Sequence, residues 1–179
     1  MNRLEQHLFP MAFFVKQQRC IMQVLIMRHG DAALEAACDA ERPLTVRGRD
    51  ESRLMANWLN RNIVDTDRIL ISPYLRARQT LDVMREVMVL PDSEEVLPEL
   101  VPGGDASMVC CYLQTLANEG LESILVISHL PLVGYLVADL CPAEQAPMFA
   151  TSAVACVTVD AGASSLNWQV NPAQLLAKV

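Results

Sequence analysis

The chain lacks the means for several chemistries. Its 179 residues hold only three histidines and six cysteines. None of the cysteines (Cys20, Cys38, Cys110, Cys111, Cys141, Cys156) falls in a Cys-x-x-Cys pair, so zinc-finger spacing is missing. Their irregular placement, with Cys110 and Cys111 adjacent in a helical stretch, reads as reduced thiols of a cytoplasmic protein. No apolar run approaches the roughly 18 residues needed to span a bilayer. Positive charge is scarce too: 14 Lys+Arg against 21 Asp+Glu give a net charge of −7. That is the wrong sign for a protein that binds nucleic acid by neutralising phosphates. Neither a membrane nor a nucleic acid is expected as a partner.

The composition, 52% hydrophobic, suits one folded domain able to bury on the order of 70% of its unfolded surface. The first 21 residues fit that domain poorly. Pro10 interrupts an apolar piece at 9–15, Glu5 precedes it, and no small-x-small cleavage site follows. Residues 1–21 are therefore read as a poorly ordered N-terminal extension to a domain at 22–179. Of the 14 basic residues 12 are arginine, whose planar fork matches phosphate or carboxylate oxygens.

Four short apolar runs, at 24–27, 68–72, 122–128 and 153–159, have the pattern of strands buried on both faces. A further strand is expected at 166–170, joined to its predecessor by the hairpin-type connection "DAGASS". Helical periodicity falls between them. One helix follows Thr45 as N-cap and carries Leu54, Met55, Trp58 and Leu59, and a second is expected at 75–89. A third, at 105–119, starts on Asp105 and stops before Gly120, and a fourth, at 131–140, is apolar nearly all round. This alternation predicts a three-layer α/β/α fold with a mainly parallel sheet and an antiparallel edge.

In such a sheet, ligands bind beyond the carboxyl ends of the strands. The first run delivers Arg28, His29 and Gly30; the second delivers Ser72 with Arg76 one helical turn on; the third delivers Ser128 and His129. Each tripeptide alone is weak evidence, since "RHG" arises by chance in roughly one chain in fifty. Two imidazoles and two guanidiniums on one sheet edge form a constellation. The two arginine forks suit three phosphoryl oxygens, and a neutral imidazole is a competent nucleophile near neutral pH. Phosphoryl transfer through a phosphohistidine, without metal or other cofactor, is the chemistry this set suggests.

"MRHGDA" (27–32), "LTVRG" (44–48), "SPYLRARQT" (72–80) and "VISHLPLVG" (126–134) resemble the four ordered motifs of the histidine phosphatase (phosphoglycerate-mutase-like) superfamily. The similarity is close to its short SixA-type phosphohistidine phosphatases and runs from Met22 to about Pro172. The resemblance implies a phosphoglycerate-mutase-like fold without a substantial cap. His29 would be the phosphorylated nucleophile, with Arg28, Arg76 and His129 completing a phosphate pocket. Gly30 would permit close backbone approach and orient the His29 ring through its carbonyl, and "LTVRG" would close the helix entry beside the pocket.

Larger relatives that act on phosphate esters use a carboxylic acid to protonate the leaving alkoxide. Here the gaps between motifs are short. Asp31, Asp39, Glu41 and Glu99 are the nearest carboxylates, and Glu99 in "LPEL" is the candidate acid. An alkoxide needs a proton from that acid, whereas an imidazole, with a conjugate acid near pKa 6.5, can depart protonated from solvent, or neutral. The expected substrate is thus a phosphohistidine-bearing protein. The resemblance suggests a histidine-phosphotransfer domain of a phosphorelay or a phosphocarrier of a phosphotransferase system. Arg47, Arg49, Arg53 and Arg78 are candidates to rim the pocket and dock an acidic partner. A monomer is expected. The alternatives are a small-molecule phosphomonoesterase of the same superfamily and a non-catalytic phosphate-binding module.

Overall fold

The computed structural model describes residues 21–62, 65–160 and 164–177. The extension expected at 1–21 lies outside the described residues, apart from an exposed Ile21. Six strands, β1 (Met22–Arg28), β2 (Arg68–Ile71), β3 (Glu94–Val96), β4 (Ser123–Ser128), β5 (Val154–Val159) and β6 (Ser165–Val170), form one sheet in the order β3-β2-β4-β1-β5-β6. The pairs β1/β4, β2/β4 and β2/β3 are parallel. The reversed strand is β5, antiparallel to both β1 and the edge strand β6.

The helices are α1 (Val46–Asn62), α2 (Leu75–Arg85), α3 (Ala106–Asn118), α4 (Leu132–Leu140) and the short α5 (Pro172–Leu176). Because side chains alternate along a strand, β1 sends Val24 and Ile26 to one face and Leu25 and Met27 to the other. On the first face they meet α3 and α4 through Val109, Leu113, Val133 and Leu136. On the second they meet α1 and α2 through Met55, Leu59, Leu81 and Met84. Both faces of β1 and β4 are covered, which explains their unbroken apolar runs.

Helix boundaries follow local chemistry. Thr45 Oγ1 accepts from Gly48 N at 3.0 Å at the start of α1. Asp105 caps α3 by accepting from the Ser107 and Met108 amides. Gly120, at φ +93°, ends it where a left-handed residue is needed and lets Leu121 N reach Leu116 O. The helix expected at 75–89 ends sooner, at Arg85. There the chain tightens, Glu86 N bonding Val83 O, so that Val87, Met88 and Leu90 fold back onto the second core. No helix among the described residues is long and apolar enough to cross a membrane.

Candidate active site

The carboxyl ends of β1, β2 and β4 lie side by side, with His29 N donating to Ser128 O and Ser72 N to Ile127 O. This brings the sequence-predicted Arg28, His29, Arg76 and His129 together. They line an open cleft of about 440 Å³ that also includes Asp31, Asp39 and Arg42.

The His29 ring is fixed at both nitrogens. Nδ1 lies 2.6 Å from the Gly30 carbonyl, which can only accept, so Nδ1 carries the proton. Arg76 Nε donates to Nε2 at 3.2 Å, so Nε2 carries the lone pair. His29 is 7% exposed. Burial first, and then the charges of Arg76, Arg28 and Arg42, push its pKa down to about 4 against the opposing Gly30 hydrogen bond. At neutral pH it is an uncharged imidazole with Nε2 free of a proton.

Gly30 can hold that ring because it sits against α1, where a Cβ would meet Gly48 O at 2.6 Å and Ser52 Oγ at 2.7 Å. Its amide donates to the buried Thr80 Oγ1 at 3.0 Å, and Thr80 donates in turn to Arg76 O at 2.7 Å. Residues 44–48 seat the same junction. Thr45 bonds the Asp31 carboxylate at 2.7 Å, and Leu44 N donates to Gln79 Oε1.

His129 stands 4.8 Å from His29, ring centre to ring centre, and its Nε2 lies 2.7 Å from Ser72 Oγ. Burial, with the neighbouring His29 and Arg76, drives its pKa down to about 2. Arg28 donates from Nη1 to Phe149 O at 2.7 Å. Arg28 Nε and His129 Nδ1 are buried without a hydrogen-bond partner among the described residues.

The candidate acid Glu99 is placed elsewhere. It belongs to the short 3₁₀ turn Pro98–Leu100 and lines a separate groove with Glu95, Leu97, Met108 and Tyr112. Leu100 of that turn is wholly buried, which orients the turn into the core. Glu41 is exposed. Three of the arginines expected at the rim pair with carboxylates elsewhere: Arg47 with Glu51 at 2.7 Å, Arg53 with Glu86 at 2.7 Å, and Arg78 with Glu94 of β3 at 3.9 Å. Neither these three nor Arg49 belong to the described lining of the cleft, whereas Arg42 does. No cluster of three or more metal-ligating side chains occurs among the described residues.

The sequence model of the histidine phosphatase superfamily (branch 1) matches residues 24–101. Phosphohistidine phosphatase SixA of Escherichia coli (strain K12) is 62% identical over 155 residues, an alignment spanning 86% of this chain and 96% of that protein. The chain belongs to the SixA phosphohistidine phosphatase family. The solved structure of the protein histidine phosphatase SixA complexed with tungstate, 62% identical, matches with a TM-score of 0.84 over 86% of this chain and 99% of that one. A phosphoglycerate mutase from Bacillus anthracis, 14% identical, shares the fold with a TM-score of 0.67, over 87% of this chain and 96% of that one. The expected phosphoglycerate-mutase-like α/β architecture is the one found.

Several residues of this SixA-family site have contacts that the sequence pattern does not indicate. Ser72 and Thr80 lie within "SPYLRARQT", but their hydroxyls acquire roles only once β4 and β1 arrive beside them. Asp39 and Arg42 sit in an aperiodic segment. Ser152, at φ +58°, donates its amide to His29 O and its hydroxyl lies 3.0 Å from that of Ser52, both buried behind His29.

Proposed function

We propose that this chain hydrolyses phosphohistidine on folded proteins, with His29 as the phosphorylated nucleophile and Arg28, Arg76 and His129 as its phosphate ligands. The observation that carries the reading is the fixed tautomer of His29: Gly30 holds the proton on Nδ1, leaving Nε2 as a buried lone pair among guanidiniums. His29 Nε2 attacks phosphorus as the bond to the substrate imidazole breaks. The substrate ring, protonated from solvent on the nitrogen not bonded to phosphorus, leaves as neutral imidazole; His29 gives up its Nδ1 proton as the phosphoryl group is bound, and water then hydrolyses phospho-His29 to inorganic phosphate. The arginine forks neutralise the charge on the equatorial oxygens, where most of the catalytic advantage lies. The tungstate bound by the 62% identical relative is a tetrahedral oxyanion of the same kind as phosphate.

The substrate class follows from two further features. The cleft is open, so it can receive a side chain projecting from another folded protein. Of the carboxylates in the cleft, Asp39 is paired with two guanidiniums and unsuited to donating a proton. A histidine-phosphotransfer domain or a phosphotransferase-system carrier, acting in the cytoplasm, is the partner we propose. The test is rapid-quench labelling with each phosphoprotein. Acid-labile label should appear on His29, and His29→Ala should lose at least about a thousandfold in turnover, as expected when a covalent nucleophile is removed. Full turnover by that variant would overturn the mechanism.

A further inference from the structure

Arg76 is 3% exposed, and all three of its nitrogens are already engaged. Nε donates to His29 Nε2, Nη1 to the backbone carbonyl of Asp39, and Nη2 to Asp39 Oδ2 at 3.0 Å. The same carboxylate is shared, its Oδ1 accepting from Arg42 Nη1 at 3.0 Å. Arg42 is itself tethered by Nε to Ala33 O at 2.6 Å. Asp39 opens a three-residue 3₁₀ turn, Asp39–Glu41, with no buried residue, and its side chain is 53% exposed. An anchored guanidinium thus faces a half-exposed carboxylate that has a second cation to rest on.

A carboxylate and a phosphoryl group make the same demand on a guanidinium, two oxygens against parallel N–H groups. Both Asp39 and Arg76 line the cleft that holds His29. An oxyanion brought to His29 Nε2 therefore competes with Asp39 for the same donors, and it is also repelled by the carboxylate's charge.

We infer that Asp39 is a resident competitor for the phosphoryl group: its carboxylate occupies the Nη2 arm of the Arg76 fork, and an arriving oxyanion displaces it onto Arg42. This rests on the proposed role of Arg76 as a phosphate ligand and adds a determinant of affinity to it. The cost of displacement falls equally on substrate and product, but they differ in what offsets it. A phosphoprotein brings contacts outside the fork, for example with Leu34, 87% exposed at the edge of the cleft. Inorganic phosphate brings none. Asp39 thereby keeps the product weakly held and limits its inhibition.

The experiment is calorimetric titration of the full chain, and of its Asp39→Asn and Asp39→Ala variants, with tungstate and with inorganic phosphate, alongside the inhibition constant of phosphate in turnover. Thermal melting confirms that both variants are folded. Both should bind either oxyanion about tenfold more tightly than the wild type, equivalent to about 1.4 kcal/mol. A carboxylate that merely positions Arg76 gives the opposite sign. Unchanged or weaker binding in the folded variants overturns the inference. If none of the three proteins binds either oxyanion, the phosphate site itself is wrong and the inference falls with it.

Discussion

Acidification perturbs the candidate nucleophile at a single atom, Nε2 of His29. An ordinary histidine titrates near 6.5, and this one is pushed down to about 4, mainly because burial disfavours the imidazolium and secondarily because Arg76, Arg28 and Arg42 repel it. The gap corresponds to about 3 kcal/mol against protonation. At pH 5.5 an ordinary histidine would be about 90% protonated, whereas a group titrating near 4 is about 97% neutral, roughly a tenfold difference in available nucleophile. Nitrogen-15 NMR of the histidine side chains reads this directly. His29 should show a protonated Nδ1 and an unprotonated Nε2 from pH 8 down to about 5, with no inflection in that window. The same depression has a sign for stability. Between pH 6.5 and about 4 the unfolded chain binds a proton at this position and the folded chain does not, so stability falls as pH falls through that window. The loss from His29 alone reaches about 3 kcal/mol and should be visible as a progressive decrease in urea midpoint. His129, lowered further still, adds in the same direction. An inflection of His29 near 6.5, or a proton found on its Nε2, would refute the reasoning.

Two other substitutions separate support of the site from support of the fold. Thr80→Val keeps shape but leaves the buried Gly30 amide without its acceptor. It should cost about 1–3 kcal/mol in denaturant unfolding and lower kcat more than KM, because Gly30 holds the His29 ring. Asp67 Oδ2 accepts from the amides of Glu122 and Ser123 where β4 begins, at the opposite end of the strand from His129. Asp67→Ala should therefore lower stability by about 1 kcal/mol while leaving phosphatase kinetics unchanged. A comparable loss of kcat in that variant would show that the site is not insulated from the far end of the sheet.

The strand ends were legible because a strand buried on both faces leaves an unbroken apolar run, and its first polar residue then marks the sheet edge. That is how Arg28, His29 and His129 were found in order. Arg76 needed only one helical turn of geometry beyond Ser72. The remainder was hidden for physical reasons. Asp39 reaches Arg76 across 37 positions of sequence from a segment with no periodicity. Phe149 contributes a backbone carbonyl to Arg28, and a carbonyl leaves no residue signature. The expected rim of arginines failed as a cleft lining because a helix offers its own neutralisers, as Glu51 does four residues beyond Arg47. Glu99 looked suggestive beside Pro98, yet the burial of Leu100 fixes the turn and sends the carboxylate to another groove. The reversed strand β5 was not readable from its own residues, since a parallel and an antiparallel buried strand have the same apolar pattern.

The distribution of charge in the cleft bears on which phosphate bond the site can break. A phosphate ester needs a proton donor of raised pKa at the leaving oxygen. The carboxylate beside Arg76 is arranged against that. Asp39 is held below the usual carboxylate range by its hydrogen bonds to Arg42 and then Arg76. Both histidines are kept neutral by burial. What the cleft supplies is positive charge for phosphoryl oxygens and, at His29 Nε2, an unprotonated ring nitrogen. That set activates attack on phosphorus but gives little help to a departing alkoxide. An imidazole leaving group needs no carboxylic acid in the cleft, because its ring can take a proton from solvent on the nitrogen not bonded to phosphorus before the bond breaks. The cations that keep Asp39 ionised therefore do two things at once: they remove it as an acid, which favours a phosphohistidine over an ester, and they make it the anion that phosphate must displace.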